Sequence, residues 1–409
     1  MKIAIVGGGI SGLTTAYLLS REHEVILYES NDYIGGHTNT VTIEMNGSPV
    51  PVDTGFIVYN EQNYPNFSHI LSDLNVSTQP TSMSFSVKLI EPDLEYNGSS
   101  FKQLFGQKKN LLRPRFYQML WDILRFNRQA PGLLESNSYD ITLGEHAIEC
   151  GFSQDFIHHY LVPMGAAIWS SSPSAILEMP AYFFIRFFKN HGMLNLNDRP
   201  QWRTITGGSC QYVNKMIASF AKNIRLGHKV SSVERLNDRV TVDGDSYDHV
   251  VFACHSDQAI EALSDPSVYE KDILSKISYQ KNEIIMHTDT SIMPVREDLW
   301  AAWNYHSQGN DDSPVAMTYN MNILQDLDIK ETICITLNSL NLINPDLILG
   351  RHIYSHPQFT TESMKAQERW MEISGGNRTH FCGAYWGNGF HEDGVNSALR
   401  IANFFGIHR

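Results

Sequence analysis

The chain has 409 residues, 42% of them hydrophobic, enough for a sizeable core and for two to three domains. Its 44 acidic and 31 basic side chains leave a formal net charge of −13, which excludes the broadly basic surface that nucleic acid requires. Low-complexity tracts are absent, excluding a mainly disordered chain, and no apolar run approaches the roughly 20 residues of a membrane-spanning helix.

Residues 2–6 (KIAIV) read as a short strand running into Gly7-Gly8-Gly9-Ile10-Ser11-Gly12, and a helix follows through Leu13, Ala16, Tyr17 and Leu19. Each glycine of this G-x-G-x-x-G turn has a physical role. Gly7 permits the tight turn, Gly9 lets a diphosphate approach the backbone, and Gly12 lets helix and strand pack closely. Ile10 and Ser11 open the helix, whose free amides and positive dipole end suit phosphate. A second strand, residues 23–28, ends in Glu29, 22 residues after Gly7. A carboxylate there accepts from a ribose 2′-hydroxyl and disfavours a 2′-phosphate, so the site is read as one for NAD or FAD rather than NADP. Helical spacing of Phe116, Met119, Leu120, Ile123 and Leu124 predicts helices between 114 and 169. Residues 181–196 (AYFFIRFFKNHGMLNL) carry aromatic groups nearly all round, as expected of a buried helix or one touching a membrane surface. Further on, a helix is predicted over 212–220, strands over 224–226, 229–236, 239–242 and 249–254, a strand over 379–384 and a closing helix over 396–405.

Gly35-Gly36-His37-Thr38 and Val52-Asp53-Thr54-Gly55-Phe56 carry the reading further. Together with the first turn and Glu29, they resemble the flavin amine oxidase superfamily, which includes protoporphyrinogen oxidases and phytoene desaturases. In that superfamily a Gly-Gly-Arg turn lies along FAD and a D-x-G segment approaches the flavin; here His37 replaces the arginine. The resemblance places Val230 at the adenine, Gly383 and Tyr385 near the ribityl chain, with Tyr385 standing where an acid is usual, and Gly394 and Val395 at the flavin edge. Segments 161–170, 184–194, 199–209, 317–322 and 381–394 resemble a bacterial branch known mainly as NAD/FAD-binding proteins. Neighbouring methyltransferase genes of the cyclopropane-fatty-acyl type imply acyl chains as a substrate class for that branch.

The resemblance implies an α/β fold: a Rossmann-type FAD domain of parallel sheet plus β-meander, with an inserted α+β substrate domain. The FAD domain would comprise residues 1–60, 200–260 and 371–409, and the substrate domain residues 61–199 and 261–370. The function it implies is an FAD-dependent oxidase, dehydrogenase or desaturase, taking hydride from a hydrophobic fatty-acyl or amine compound. An isomerase without net redox and a nucleotide-binding module with lost chemistry are the alternatives. A second dinucleotide turn is absent, so electrons pass to oxygen, a quinone or a protein. Trp169, Trp303, Tyr319, Trp386 and Phe390 are expected to line an aromatic pocket. His391, in a flavin-side loop, is the candidate acid or base, with Trp386 and Phe390 beside it.

Lys281 is the nearest lysine to a flavin-facing position, although a surface site suits it better, and His287 suits the core. Metal is not expected beside His391, Glu392 and Asp393, since there is no H-E-x-x-H and no cysteine cluster. The five cysteines, an odd number without C-x-x-C, suit reduced thiols in a cytoplasmic chain; Cys382, placed within a strand, offers no covalent link. Lys108, Lys109, Arg113 and Arg115 form a basic cluster that reads as a solvated face or as a peripheral membrane contact.

Overall fold

The computed structural model describes residues 1–136, 138–195, 199–307 and 316–408. Lys2–Val6 is the centre of a five-stranded parallel sheet, ordered Ile224–Arg225, Glu24–Tyr28, Lys2–Val6, His249–Phe252, Thr379–Phe381. Its side chains alternate between two cores, with Ile3 and Ile5 on one face and Ala4 and Val6 on the other. Burial on both faces is why the strand reads as an unbroken apolar run. Helices Ile10–Leu19, Cys210–Ile217 and His391–Phe404 cover the first face. The antiparallel meander Val233–Arg235, Val240–Val242, Asp245–Tyr247 covers the second. Connections leave Lys2–Val6 toward Glu24–Tyr28 on one side, and His249–Phe252 joins it on the other. A crevice opens at the carboxyl end of such a strand, where doubly wound folds bind their ligands.

A seven-stranded sheet lies beyond, ordered Ile348–Pro357, Tyr279–His287, Cys334–Leu337, Ala316–Asn320, Trp303–Ser307, Phe85–Leu89, Leu94–Asn97. All its pairings are antiparallel except that of Trp303–Ser307 with Phe85–Leu89. Val87, Tyr96, Tyr305 and Met317 of this sheet share a core with Phe116, Met119 and Phe126 of helix Pro114–Gln129 and with helix Ala181–Asn190. That second helix buries Phe183, Phe184, Ile185, Phe187 and Phe188, which makes it a core helix and not a membrane-touching one. It stops before Gly192, whose φ of +65° breaks the helical path. Leu196, at the end of the expected helix, lies outside the described residues. Among the described residues, no helix is long and apolar enough to cross a membrane.

Three local departures from the sequence reading have identifiable causes. The last helix begins at His391, five residues early, because the Asp393 carboxylate accepts from the Phe390 amide and caps it. Only Val233–Arg235 of the expected strand 229–236 joins the ladder, since Asp243 Oδ1 takes the amides of Ser231 and Ser232. The late strand ends at Phe381, and a 3₁₀ turn, Ala384–Trp386, follows, so Cys382 sits just past the strand rather than within it.

Candidate cofactor site

The first glycine turn joins strand Lys2–Val6 to helix Ile10–Leu19. Gly7 has φ +111°, and a Cβ there would lie 2.7 Å from Ala253 O; a Cβ on Gly12 would lie 1.9 Å from Gly7 O. Gly9 differs from both: its backbone is extended, with φ −76°, and a Cβ would meet nothing within 4 Å. Two glycines therefore make the turn, and the third leaves room beside it. Glu29, at the end of the neighbouring strand, is buried next to this room. Its Oε2 accepts from the Gly8 amide at 2.8 Å, and its Oε1 accepts from the Asn31 amide at 2.8 Å and from Ser30 Oγ at 3.3 Å. Ile10 and Ser11 are buried at the helix entrance.

The second glycine turn stacks on the first. The Gly35 amide donates to Gly8 O at 3.0 Å, and a Cβ on Gly36 would lie 3.0 Å from Gly9 Cα. His37 O then accepts from the Phe56 amide, and a Cβ on Gly55 would lie 2.3 Å from that same oxygen. Thr54 is tied to Asn39 O through both its amide and its hydroxyl. From the far end of the chain, Gly394 comes so close that a Cβ would lie 2.7 Å from Ile10 Cγ2 and 2.9 Å from Ser11 Oγ, while Val395 packs with Ile10 and Leu13. Val230 is brought alongside by its own segment, where the His228 amide donates to Glu29 O at 2.8 Å. Gly383, at the end of strand Thr379–Phe381, donates its amide to Ser397 Oγ of the last helix at 3.0 Å.

His37 provides the polar anomaly of the site. Its Nε2 is buried and has no hydrogen-bond partner. Burial, and then the neighbouring imidazoles of His356, His255 and His391, hold its pKa well below the usual histidine range. A buried polar nitrogen without a partner is costly in a finished core. Gly36, the chain neighbour of His37, lies against Gly9, so this unpartnered nitrogen stands one residue from the open backbone. The open backbone of the glycine turns as donor to phosphate and the buried Glu29 carboxylate as acceptor for ribose hydroxyls fit an adenine dinucleotide.

Asp53 holds the site from beneath. Its fully buried carboxylate accepts from Ser209 N, Ser209 Oγ and Thr40 Oγ1, and burial raises its pKa to about 6 against those hydrogen bonds. Tyr354, from the long sheet strand Ile348–Pro357, adds a hydroxyl contact of 2.6 Å to Thr54 Oγ1 and packs against His37. Sequence spacing offered no signal for Tyr354, His255 or His356.

The expected reactive cluster is rearranged. His391 lies inside the first turn of the last helix and not on a loop. It is buried, stacked 3.5 Å from the Phe56 ring, with Nε2 3.0 Å from Thr38 Oγ1 and 3.2 Å from Tyr212 OH. Burial lowers its pKa to about 3, so at neutral pH the imidazole is uncharged and engaged, a packing group rather than a free acid or base. Glu392 accepts from the amides of Asn66 and Phe67 and caps helix Pro65–Asp73. Phe390 bridges the nucleotide-side and helical cores, stacking on Phe187 at 5.1 Å. Trp169, Trp303 and Tyr319 join that helical core. Trp386 does not: with Tyr385 it belongs to the core on the meander side of the parallel sheet. Tyr385 turns its ring beneath Gly383 and toward Tyr279. Lys281 is exposed, and His287 is a core residue bonded to Thr336 Oγ1 at 2.7 Å.

The model of the family described as flavin-containing amine oxidoreductases matches residues 10–403. The flavin-containing amine oxidase A of Equus caballus is 22% identical over 342 residues, spanning 77% of this chain and 61% of that protein. Across the curated relatives it matches, the chain spans 20% to 61% of their length. Among solved structures, cyclohexylamine oxidase from Brevibacterium oxydans superposes with a TM-score of 0.69 at 14% identity, covering 99% of both chains. A fatty acid isomerase from P. acnes that produces CLA superposes with a TM-score of 0.70 at 14% identity, covering 98% of both chains. At that identity the superpositions establish the fold: an FAD-binding Rossmann-type unit with a substrate-binding part. The cofactor is FAD, in keeping with the dinucleotide geometry at Gly9. By a match running through nearly its whole length, the chain belongs to the flavin-containing amine oxidoreductases.

Proposed function

We propose that the protein is an FAD-dependent oxidoreductase that takes hydride from a hydrophobic small molecule, an amine or a fatty-acyl compound. The observation that carries this reading is the position of Phe390. Its half-buried ring separates the core beneath the glycine turns from an aromatic core containing Trp303, Tyr319, Trp169 and Phe187. The wall is apolar; His391 and His191 beside it are held uncharged at neutral pH by burial, and the Asp393 carboxylate is taken up by the Phe390 amide. Such a wall orients a C–H bond and excludes water without needing a charged base.

In this reading the amides around Gly7, Gly9, Ile10, Ser11 and Gly12 hold the diphosphate, and Glu29 receives the ribose hydroxyls. Gly35, Gly36 and His37 close over the phosphates, and Thr54 and Gly55 support that turn. Val230 lies at the adenine side, with Gly383, Tyr385, Gly394 and Val395 along the other end. The N-terminal amides of helix His391–Phe404 favour negative charge at that end. When bound, FAD supplies the two-electron acceptor. Residues 1–60, 200–260 and 371–409 form the nucleotide part, and residues 61–199 and 261–370 the substrate part. Phe390 faces the substrate, while His391 keeps the last helix in place.

The test is anaerobic mixing of the FAD-loaded protein with a panel of alkyl and aryl amines and of fatty acids, following flavin absorbance. Bleaching by a member of the panel, reversed on adding oxygen or a quinone, is expected. Conversion of a fatty acid with no acceptor consumed would replace net oxidation with isomerisation.

A further inference from the structure

Residues 101–128 carry an exposed surface that packing does not explain. Helix Pro114–Gln129 buries Phe116, Met119 and Phe126 in the core. Its opposite face presents Tyr117, Trp121 and Leu124, at i, i+4 and i+7, to solvent, Trp121 being 66% exposed. The preceding turns add Phe101, 78% exposed, and Leu111 and Leu112, the latter 87% exposed. These side chains form one patch. Phe101 meets Phe105 at 4.9 Å, Phe105 meets Tyr117 at 5.7 Å, and the Tyr117 hydroxyl donates to Leu111 O at 3.1 Å.

The charge of the same stretch opposes that of the chain. Lys102, Lys108, Lys109, Arg113, Arg115, Arg125 and Arg128 face a single acid, Asp122, in a protein of net charge −13. Asp122 is buried and paired with Arg125 at 3.0 Å, so it does not offset the surface. Lys109 is partly balanced by Asp93, at 2.6 Å, and Arg113 holds the turn through Asp93 O, Gln107 and Asn110. Lys102, Lys108, Arg115 and Arg128 stand exposed around the apolar groups.

We propose that this face is a docking surface for an anionic phospholipid bilayer, with Leu112 and Trp121 entering the headgroup boundary and the lysines and arginines meeting lipid phosphates. Lysine interleaved with exposed leucine and tryptophan suits a lipid interface, whereas protein interfaces are depleted in lysine. The acidic remainder of the chain is repelled by the same membrane, which fixes the orientation. None of these side chains is among those placed at the cofactor site, and the proposal does not depend on the identity of the substrate.

The test is co-sedimentation of the full FAD-loaded chain with vesicles of equal phosphatidylglycerol and phosphatidylcholine, beside vesicles of phosphatidylcholine alone. Binding to the anionic vesicles is expected to be at least about tenfold stronger than to the neutral ones and to weaken with added salt. An apolar variant, Leu112→Asp with Trp121→Gln, and a charge variant, Lys108→Glu with Arg115→Glu and Arg128→Glu, should each lose about tenfold or more, with flavin content and melting temperature retained. Sedimentation equal on both lipids, absent on both, or unchanged in both variants overturns the proposal. So does a dimer in solution that the apolar variant dissociates, since the face would then bind a second copy.

Discussion

Alanine at Gly9 and alanine at Gly12 should separate binding from folding, although both glycines belong to one short turn. At Gly12 the added Cβ would sit 1.9 Å from Gly7 O, a backbone atom that cannot swing aside. Overpacking costs about 1–3 kcal/mol, and an obstruction of this kind belongs at the upper end, about 3 kcal/mol. At Gly9 the Cβ meets no atom within 4 Å, and φ −76° suits alanine. Folding should therefore change by no more than about 1 kcal/mol. The methyl group would instead occupy the space that the diphosphate needs, and a loss of about 100-fold in FAD affinity, about 2.7 kcal/mol, is expected. Urea unfolding of the FAD-free variants measures the first effect, and titration with FAD, followed by quenching of its fluorescence, measures the second. If Gly9→Ala binds FAD as wild type does, or unfolds as readily as Gly12→Ala, the assignment of the open backbone to phosphate is refuted.

Acid should weaken the fold. Burial holds His287 and His306 near pKa 4 and His380 and His391 near 3, so each stays neutral in the fold while its unfolded counterpart protonates below about pH 6.5. Their stabilising contribution is present above that value and is lost as the pH falls toward the folded pKa. Asp53 and Asp393, raised to about 6, act in the opposite direction and gain as the pH falls through 6. His191 and His356, near 4, belong with the other buried histidines. From pH 7 to 5.5 each such histidine loses about 1 kcal/mol and each of the two aspartates returns less than about 1, so the urea midpoint should be clearly lower at pH 5.5 than at pH 7. Replacing Glu392 by Ala strips the cap from helix Pro65–Asp73 and should cost about 1–2 kcal/mol in thermal or urea unfolding without altering FAD affinity. Glu29→Gln should weaken FAD binding about tenfold or more in the same titration, and should also cost about 1–3 kcal/mol in urea unfolding, because its amide nitrogen must face the Gly8 or the Asn31 N–H. His391→Leu breaks the contacts with Thr38 and Tyr212 and should destabilise by about 1–3 kcal/mol while leaving anaerobic flavin reduction intact. A slowing of reduction beyond about tenfold in a stable variant would return His391 to the chemistry.

The nucleotide half was legible because its determinants are local. A strand, a glycine turn, a helix and Glu29 follow one another within thirty residues, and each step has a steric or electrostatic reason visible in the residue types. Elements stabilised from a distance were not. The run His391-Glu392-Asp393-Gly394 reads as a polar loop, yet each side chain has a partner that spacing alone cannot show: Thr38 and Tyr212 for His391, helix Pro65–Asp73 for Glu392, the Phe390 amide for Asp393. Gly394 sits inside the last helix, where the approach of Ile10 and Ser11 leaves no room for a Cβ. Trp386 resembles Trp303 as a residue type, yet Trp303 packs on the helical core of the seven-stranded sheet and Trp386 on the meander face of the parallel sheet, a difference no local pattern shows. The histidines around His37 come from three distant stretches, and nothing near Gly35 announces them.

Flavin stoichiometry tests the central claim most directly. Denaturing the purified protein and quantifying the released chromophore by absorbance and chromatography should yield one FAD per chain, or one per chain after incubation with added FAD. A preparation that releases none and takes up none, while unfolding cooperatively as a native protein does, would contradict the account from its first glycine turn onward.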